Sequence, residues 1–366
     1  MTSLSGAVSI AKHHRCYCAV KKGQRCFIWE PVIQSVVAKS EVVRLDLPPP
    51  AAARVVLPEA LGRRFAIFAD AEEEFDWKGP FRRDATSTEA IDALPQANQF
   101  FTDSGCVPTY LVDWPVVANP ASAALIRRMV ADGGCDIGTQ LHPWVNPPFD
   151  EEVTAQNSYS GNLPRMLEAA KIKILTDKIE LETGVRPTVY RAGRYGIGPN
   201  TAQLLVDEGY RLDVSVRAAY DYRAQGGPDF SRHPIWPWRI SEQLHELPLT
   251  AICTGLLRNR LSVHDYAPAR GFLARTGLFD RVPLTPEGVR LHDALIAIRQ
   301  LLDSGLQLFS LSFHTPTLVP GHTPYVRSER DLKRFWAWWD GVFNLFAKHG
   351  VMPIRAAEIV SALEAA

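Results

Sequence analysis

From residue 65 onward, short apolar runs alternate with longer amphipathic stretches, and this alternation limits the chain more than any other feature. A short apolar run bounded by turn residues reads as a strand, and apolar residues recurring every three or four positions read as a helix. Strands separated by helices cannot pair as hairpins, so they pair in parallel, in an open sheet or a barrel. Strands are expected over 65–69, 107–112, 135–138, 188–190, 212–216, 247–249 and 306–313, with a weaker one at 351–354. Helices are expected over 88–103, 122–131, 163–183, 201–208 and 328–349. Gly209 and Gly350 stand where two of them should stop, glycine being the usual terminator of a helix. In the last helix Trp336, Trp338, Trp339, Phe343 and Phe346 read as core packing.

The first 53 residues carry no sustained period and end in a proline-rich breaker, Asp46 to Ala53. They are expected to form an irregular extension, which a misassigned start would explain equally well, ahead of a domain spanning 54–366. Cys16, Cys18 and Cys26, with His13 and His14, lack the paired spacing of a zinc site. The 40 basic and 40 acidic residues balance, so no net field points to nucleic acid or an anionic membrane. No apolar run approaches the roughly 18 residues of a spanning helix. The first 30 residues lack the order of a secretory leader, and six cysteines are too few for a disulfide-built fold. A soluble protein of the reducing cytoplasm is the expectation.

In α/β barrels the reactive groups sit where strands end. After the first expected strand, Asp70, Glu72, Glu73, Glu74 and Asp76 place five carboxylates within seven residues. Such crowding calls for a cation or shared protons; the alternative is a solvated acidic loop, against which Phe75 and Trp77 argue for partial burial. After the third, Gln140 and His142 share one face of an extended segment, making His142 a metal ligand, a base or a packed histidine. After the fourth, the glycines of 191–201 permit a tight turn, and Arg191 and Arg194 suit a carboxylate. The spacing there matches no phosphate-binding glycine loop. Asp213, Ser215 and Arg217 share a face of the fifth strand, and His314 ends the last long one.

Taken in order, Asp70–Trp77, His142–Pro148, Tyr190–Gly196 and Ser312–Pro316 resemble the motifs of the polysaccharide-deacetylase family with NodB homology, carbohydrate esterase family 4, over residues 60–365. More narrowly they look like its WalW-like branch. The resemblance implies an α/β fold, a distorted (β/α)7–8 barrel, and a hydrolase that removes N- or O-acetyl groups from a sugar or glycan with a divalent metal, usually zinc. It implies Asp70 as the base, Arg191 as the group that orients it, His314 as the acid and Asp213 as the residue that tunes that acid. Glu72 and His142 are the implied metal ligands, and Trp77, Trp144, Arg194 and Tyr195 the implied sugar contacts. The chain departs from the family at Gln140 and Trp144, which replace a histidine pair. Two further readings stay open on that account: a metal-independent hydrolase of non-peptide C–N bonds, and a carbohydrate-binding protein whose catalysis has decayed.

Overall fold

The computed structural model describes residues 14–21, 24–31, 42–258 and 270–366, in two compact units, 1–41 and 42–366. The first holds two antiparallel strands, His14–Lys21 and Gln24–Pro31, where an irregular extension is expected from sequence. His13 and the side chains of His14, Cys16, Cys18 and Cys26 lie outside the described residues. The second unit begins ahead of residue 54 because the preceding stretch is tied in. Leu45 is fully buried in the main core, and the Val43 N–H donates to the Ile240 carbonyl at 2.9 Å.

The second unit is the expected curled parallel sheet wrapped by helices. Its strands are β1 Arg64–Ala71, β2 Thr109–Val112, β3 Asp136–Leu141, β4 Val189–Ala192, β5 Leu212–Asp213, β6 His245–Glu246 and β7 Leu308–His314. The spatial order is β7-β1-β2-β3-β4-β5-β6, parallel throughout, with Trp238–Arg239 added antiparallel to β6. Met352–Pro353 pairs with the start of β1. Between β6 and β7 single backbone bonds replace a ladder, Thr250 N–H to Ser310 O at 3.3 Å and Ser312 N–H to Leu284 O at 3.2 Å. The expected strand at 247–249 continues the pairing of β6 with the fifth strand, Leu247 N–H to Asp213 O at 2.9 Å and Leu249 N–H to Val216 O at 2.8 Å.

The longer helices are α1 Leu94–Asp103, α2 Pro120–Ala131, α3 Arg165–Thr183, α4 Thr201–Glu208, α5 Leu291–Asp303, α6 Glu329–Lys348 and α7 Ala356–Glu364. Their limits follow local chemistry. Asn119 caps α2 by accepting from Ala121 N–H at 2.9 Å, with Pro120 at the first helical position. Gly209 ends α4 at φ +84°, a conformation that costs glycine no Cβ clash. In α6, Trp339 and Phe346 are buried against β7 and β1 aromatics and Trp338 is buried beside Trp339, which is the core packing its spacing predicts.

The two-residue period of the strands divides the core in two. Ala66 and Phe68 of β1, Leu111 of β2, Val189 of β4 and Leu308 of β7 fill the barrel interior. Ile67, Tyr110, Tyr190 and Phe309 face the helices. Continuing the inward parity to the strand ends delivers Asp70, Gln140, Arg191 and His314 to the mouth of the barrel.

Candidate active site

Parallel register sets the mouth. His314 is the partner of Asp70 across β7 and β1, and Gln140 the partner of Arg191 across β3 and β4. These four side chains line one cleft, which offers about 180 Å³ to water.

Asp70 and Arg191 are both buried, at 2% and 1% exposure, and Arg191 Nη1 donates to Asp70 Oδ1. A second Arg191 bond, Nε to the Val214 carbonyl at 3.2 Å, fixes the guanidinium plane. The other carboxylate oxygen, Oδ2, faces His314 Nε2 at 3.4 Å. His314 Nδ1 lies 2.6 Å from Glu287 Oε2. Burial alone would lower this imidazole, but Glu287, Glu72 and Asp70 overcome it and raise it to about 10. The cleft therefore presents a carboxylate held by a guanidinium opposite an imidazole held in its charged form.

Beside this pair, Gln140 Nε2 donates to Glu72 Oε2 at 2.9 Å and lies 3.2 Å from His142 Nε2, with Glu72 Oε2 3.6 Å from the same nitrogen. His142 Nδ1 is 2.8 Å from Glu73 Oε2, and Trp144 Nε1 donates to Glu73 Oε1 at 2.9 Å. Asp113 anchors this layer from behind, accepting from Glu73 N–H at 2.9 Å and Val116 N–H at 3.0 Å. Burial raises Glu73 to about 8 and Asp113 well above its usual range, each further raised by a carboxylate neighbour. Burial likewise lifts Glu72 to about 7 and pushes His142 down. The acidic run is thus a buried, proton-sharing layer, except for Glu74, which accepts from Glu89 and Ala90 N–H groups, and Asp76, which is exposed and accepts from Lys78 N–H at 2.9 Å.

Among the described residues two candidate acid and histidine clusters follow, Asp70–Glu72–His314 and Glu73–Asp113–His142. The second is closed by its own hydrogen bonds. For a cation in the cleft, the residues that fit are Glu72, His142 and Gln140. Their facing atoms stand 2.9–3.6 Å apart, Glu72 Oε1 and Gln140 Oε1 are buried without partners, and a half-turn of the amide presents its oxygen. Glu73 on His142 Nδ1 is the outer-shell carboxylate that frees Nε2 for a metal.

Several expected residues take other roles. Asp213 does not touch His314; it accepts from Ser215 Oγ at 2.6 Å and pairs with Glu246, burial raising both carboxyls. The group on His314 is Glu287, which sequence reasoning missed although it follows the apolar run Val282–Leu284. Trp144 is not a sugar contact, because it is 1% exposed, stacked on His142 at 4.3 Å and bonded to Glu73. Trp77, Arg194 and Tyr195 do line the cleft, and Trp77 stands edge-on to His314 at 5.1 Å with a buried, unpartnered Nε1. Arg217, named only for its face of a strand, also lines it, with Tyr159, Tyr222 and Tyr325.

No family model matches the chain, and no curated protein matches it. Among solved structures it is similar to a protein from Mycobacterium smegmatis assigned as a polysaccharide deacetylase, at 16% identity and TM-score 0.49, covering 87% of this chain and 95% of that one. It is also similar to an allantoinase, at 15% identity and TM-score 0.49, covering 85% and 94%. A third likeness is to a pseudoenzyme of carbohydrate esterase family 4 from Bacillus anthracis, at 8% identity and TM-score 0.40, covering 82% and 66%. Such likenesses leave the chemistry to the residues of the cleft. Among the described residues no helix is long and apolar enough to cross a membrane.

Proposed function

We propose that the cleft hydrolyses an acetyl group from the nitrogen or oxygen of a sugar, with Asp70 as base and His314 as acid. The observation that carries this reading is the opposition of Asp70 Oδ2 and His314 Nε2 at 3.4 Å, each fixed from behind by a buried partner of opposite charge. Hydrolysis of an amide or ester needs both roles, a base for water and an acid for the departing nitrogen or oxygen.

In the reaction Asp70 takes a proton from a water molecule, whose oxygen bonds to the acyl carbon. Arg191 keeps the carboxylate oriented while this happens. When the bond from the acyl carbon to the sugar nitrogen or oxygen breaks, its electron pair goes to that atom and His314 Nε2 delivers a proton there. Acetic acid leaves and ionises to acetate in solvent, and the proton on Asp70 returns to His314 through solvent or directly. Trp77, edge-on to His314, covers the leaving-group side. A divalent cation, zinc by preference, held by Glu72, His142 and Gln140, would polarise the acyl carbonyl and acidify the water.

Acetate release from a panel of N- and O-acetylated sugars tests the reading. Asp70→Asn and His314→Ala should each lower turnover by about 100-fold or more. Turnover indifferent to both substitutions would overturn it. The bond of Gln140 Nε2 to Glu72 favours one alternative, hydrolysis of a non-peptide C–N bond without metal, because the amide satisfies the same acceptors. Full activity in protein freed of divalent ions would select that alternative.

A further inference from the structure

Among the described residues, the lining of the cleft carries two guanidinium groups that no carboxylate neutralises. Some arginines of the chain meet acids: Arg186 meets Asp177, Glu180 and Glu208, Arg355 meets Asp136, and Arg191 meets Asp70. Arg194 and Arg217 do not. Among the described residues the acceptors of Arg194 are neutral, the Ser158 hydroxyl, Gln225 Oε1 at 2.8 Å and the Ala155 carbonyl at 3.4 Å. Arg217 donates from Nη1 to the Tyr222 hydroxyl at 3.1 Å, and its Nε is buried with no acceptor.

Both are held by aromatic faces in place of counter-ions. Arg194 lies 4.0 Å from the Tyr159 ring centroid, and Arg217 lies 3.9 Å from that of Tyr220 and 5.0 Å from that of Tyr195. Stacking of this kind fixes a guanidinium plane and leaves its charge unspent. The backbone that presents them is unusual as well. Arg194 and Tyr195 are consecutive non-glycine residues at φ +54° and +60°, and Ala219 follows Arg217 at φ +65°. Left-handed non-glycine residues are uncommon and persist where the surroundings over-determine them, which happens mostly at ligand sites.

On the floor of the cleft Asp70 is matched by Arg191 and Glu287 by His314, while burial holds the Glu72 carboxyl up at about 7. We propose that Arg194 and Arg217 form an anion subsite, so that the substrate is an acetylated sugar bearing a phosphate or carboxylate group. The inference rests on the proposed hydrolysis for the acetyl group only; the anion subsite stands on the unpaired arginines. Planar guanidinium forks suit both oxyanions, which they bind through paired N–H donors.

The experiment measures binding and turnover separately. N-acetylglucosamine, its 6-phosphate and N-acetylmuramic acid are titrated calorimetrically against the full chain, and acetate release is followed in parallel. At least one anionic sugar should bind about 10-fold or more tighter than the neutral one, with an advantage that shrinks as salt rises. Arg217→Met and Arg194→Met should each remove most of that advantage, while Arg217→Lys keeps part of it. Melting curves identify any variant that fails to fold, and the remaining variants then decide. Equal affinity for neutral and anionic sugars in the unsubstituted protein, or an advantage untouched in both methionine variants, would overturn the subsite. Preferential binding without acetate release upholds the subsite and overturns the hydrolysis; acetate release without preference does the reverse.

Discussion

Glu287 grips His314 twice, with Oε2 2.6 Å from the imidazole Nδ1 and Oε1 accepting the His314 backbone N–H at 2.9 Å. Thr317 donates to the same Oε1, so the carboxylate has no freedom to turn. The ring is thereby aimed, with Nε2 toward Asp70 and the cleft. Ring orientation and the largest share of the charge come from one residue that lies 27 positions away in sequence.

Glu287→Gln separates these effects, since the amide keeps the shape and loses the charge. Turnover should fall about 10- to 100-fold with KM nearly unchanged, as expected when an acid loses the partner that holds it ready. Steady-state kinetics on the best acetylated sugar, with a melting curve as control, measures this. A kcat within twofold of the parent would remove Glu287 from the proposed mechanism.

Metal binding makes its own prediction. Zinc or another divalent ion added to metal-stripped protein should raise its melting temperature, by an amount equivalent to about 2.7 kcal/mol at a hundredfold excess over Kd. Glu72→Ala should abolish that gain, because it removes the carboxylate whose Oε1 is buried without a partner. An equal gain in both proteins would place the ion elsewhere.

Gly193 follows β4 directly beneath His142. A Cβ built there would collide with the His142 ring and the Leu141 carbonyl oxygen. Neither can yield easily, because the ring is stacked on Trp144 and bonded to Glu73, and the oxygen belongs to the backbone of β3. Gly193→Ala should therefore cost about 1–3 kcal/mol of stability, the range for overpacking, and also displace the His142 Nε2. Urea denaturation checks the first effect, and the metal-dependent melting shift checks the second.

The barrel was legible because its signals are local: the period of each strand, the punctuation of each helix, and the polar residue that ends each inward-facing run. Asp70, Arg191 and His314 could be named for that reason, each lying at such an end. The second layer was not legible. Whether Asp213 or Glu287 reaches His314 depends on how the sheet curls and where the segment after residue 280 returns to it, and neither is encoded in spacing. Trp144 misled in the same way. The resemblance implies it as a sugar contact, and only the assembled layer supplies Glu73 as the acceptor that lets its indole N–H be buried.

Glu168, far from any of this chemistry, gives the sharpest test of the packing. It lies in the first turn of α3, fully buried. Thr201 donates to Oε1, while Oε2 is buried with no partner. Burial raises this carboxyl from 4.5 to about 7 against the smaller opposing effect of Thr201. Below pH 4.5 the folded and unfolded chains both carry the proton, and the group costs nothing by this route. Between 4.5 and about 7 the unfolded chain has released it and the folded chain still holds it, so stability falls as pH rises. Above that window the loss is complete and amounts to about 3 kcal/mol, at about 1.36 kcal/mol per pKa unit. Glu168→Gln keeps an acceptor for Thr201 and never ionises. Its stability relative to the parent should therefore rise from pH 4.5 to pH 8 by about 3 kcal/mol, read from urea denaturation at the two pH values. A difference that does not change with pH would mean that Glu168 is ionised in the folded protein.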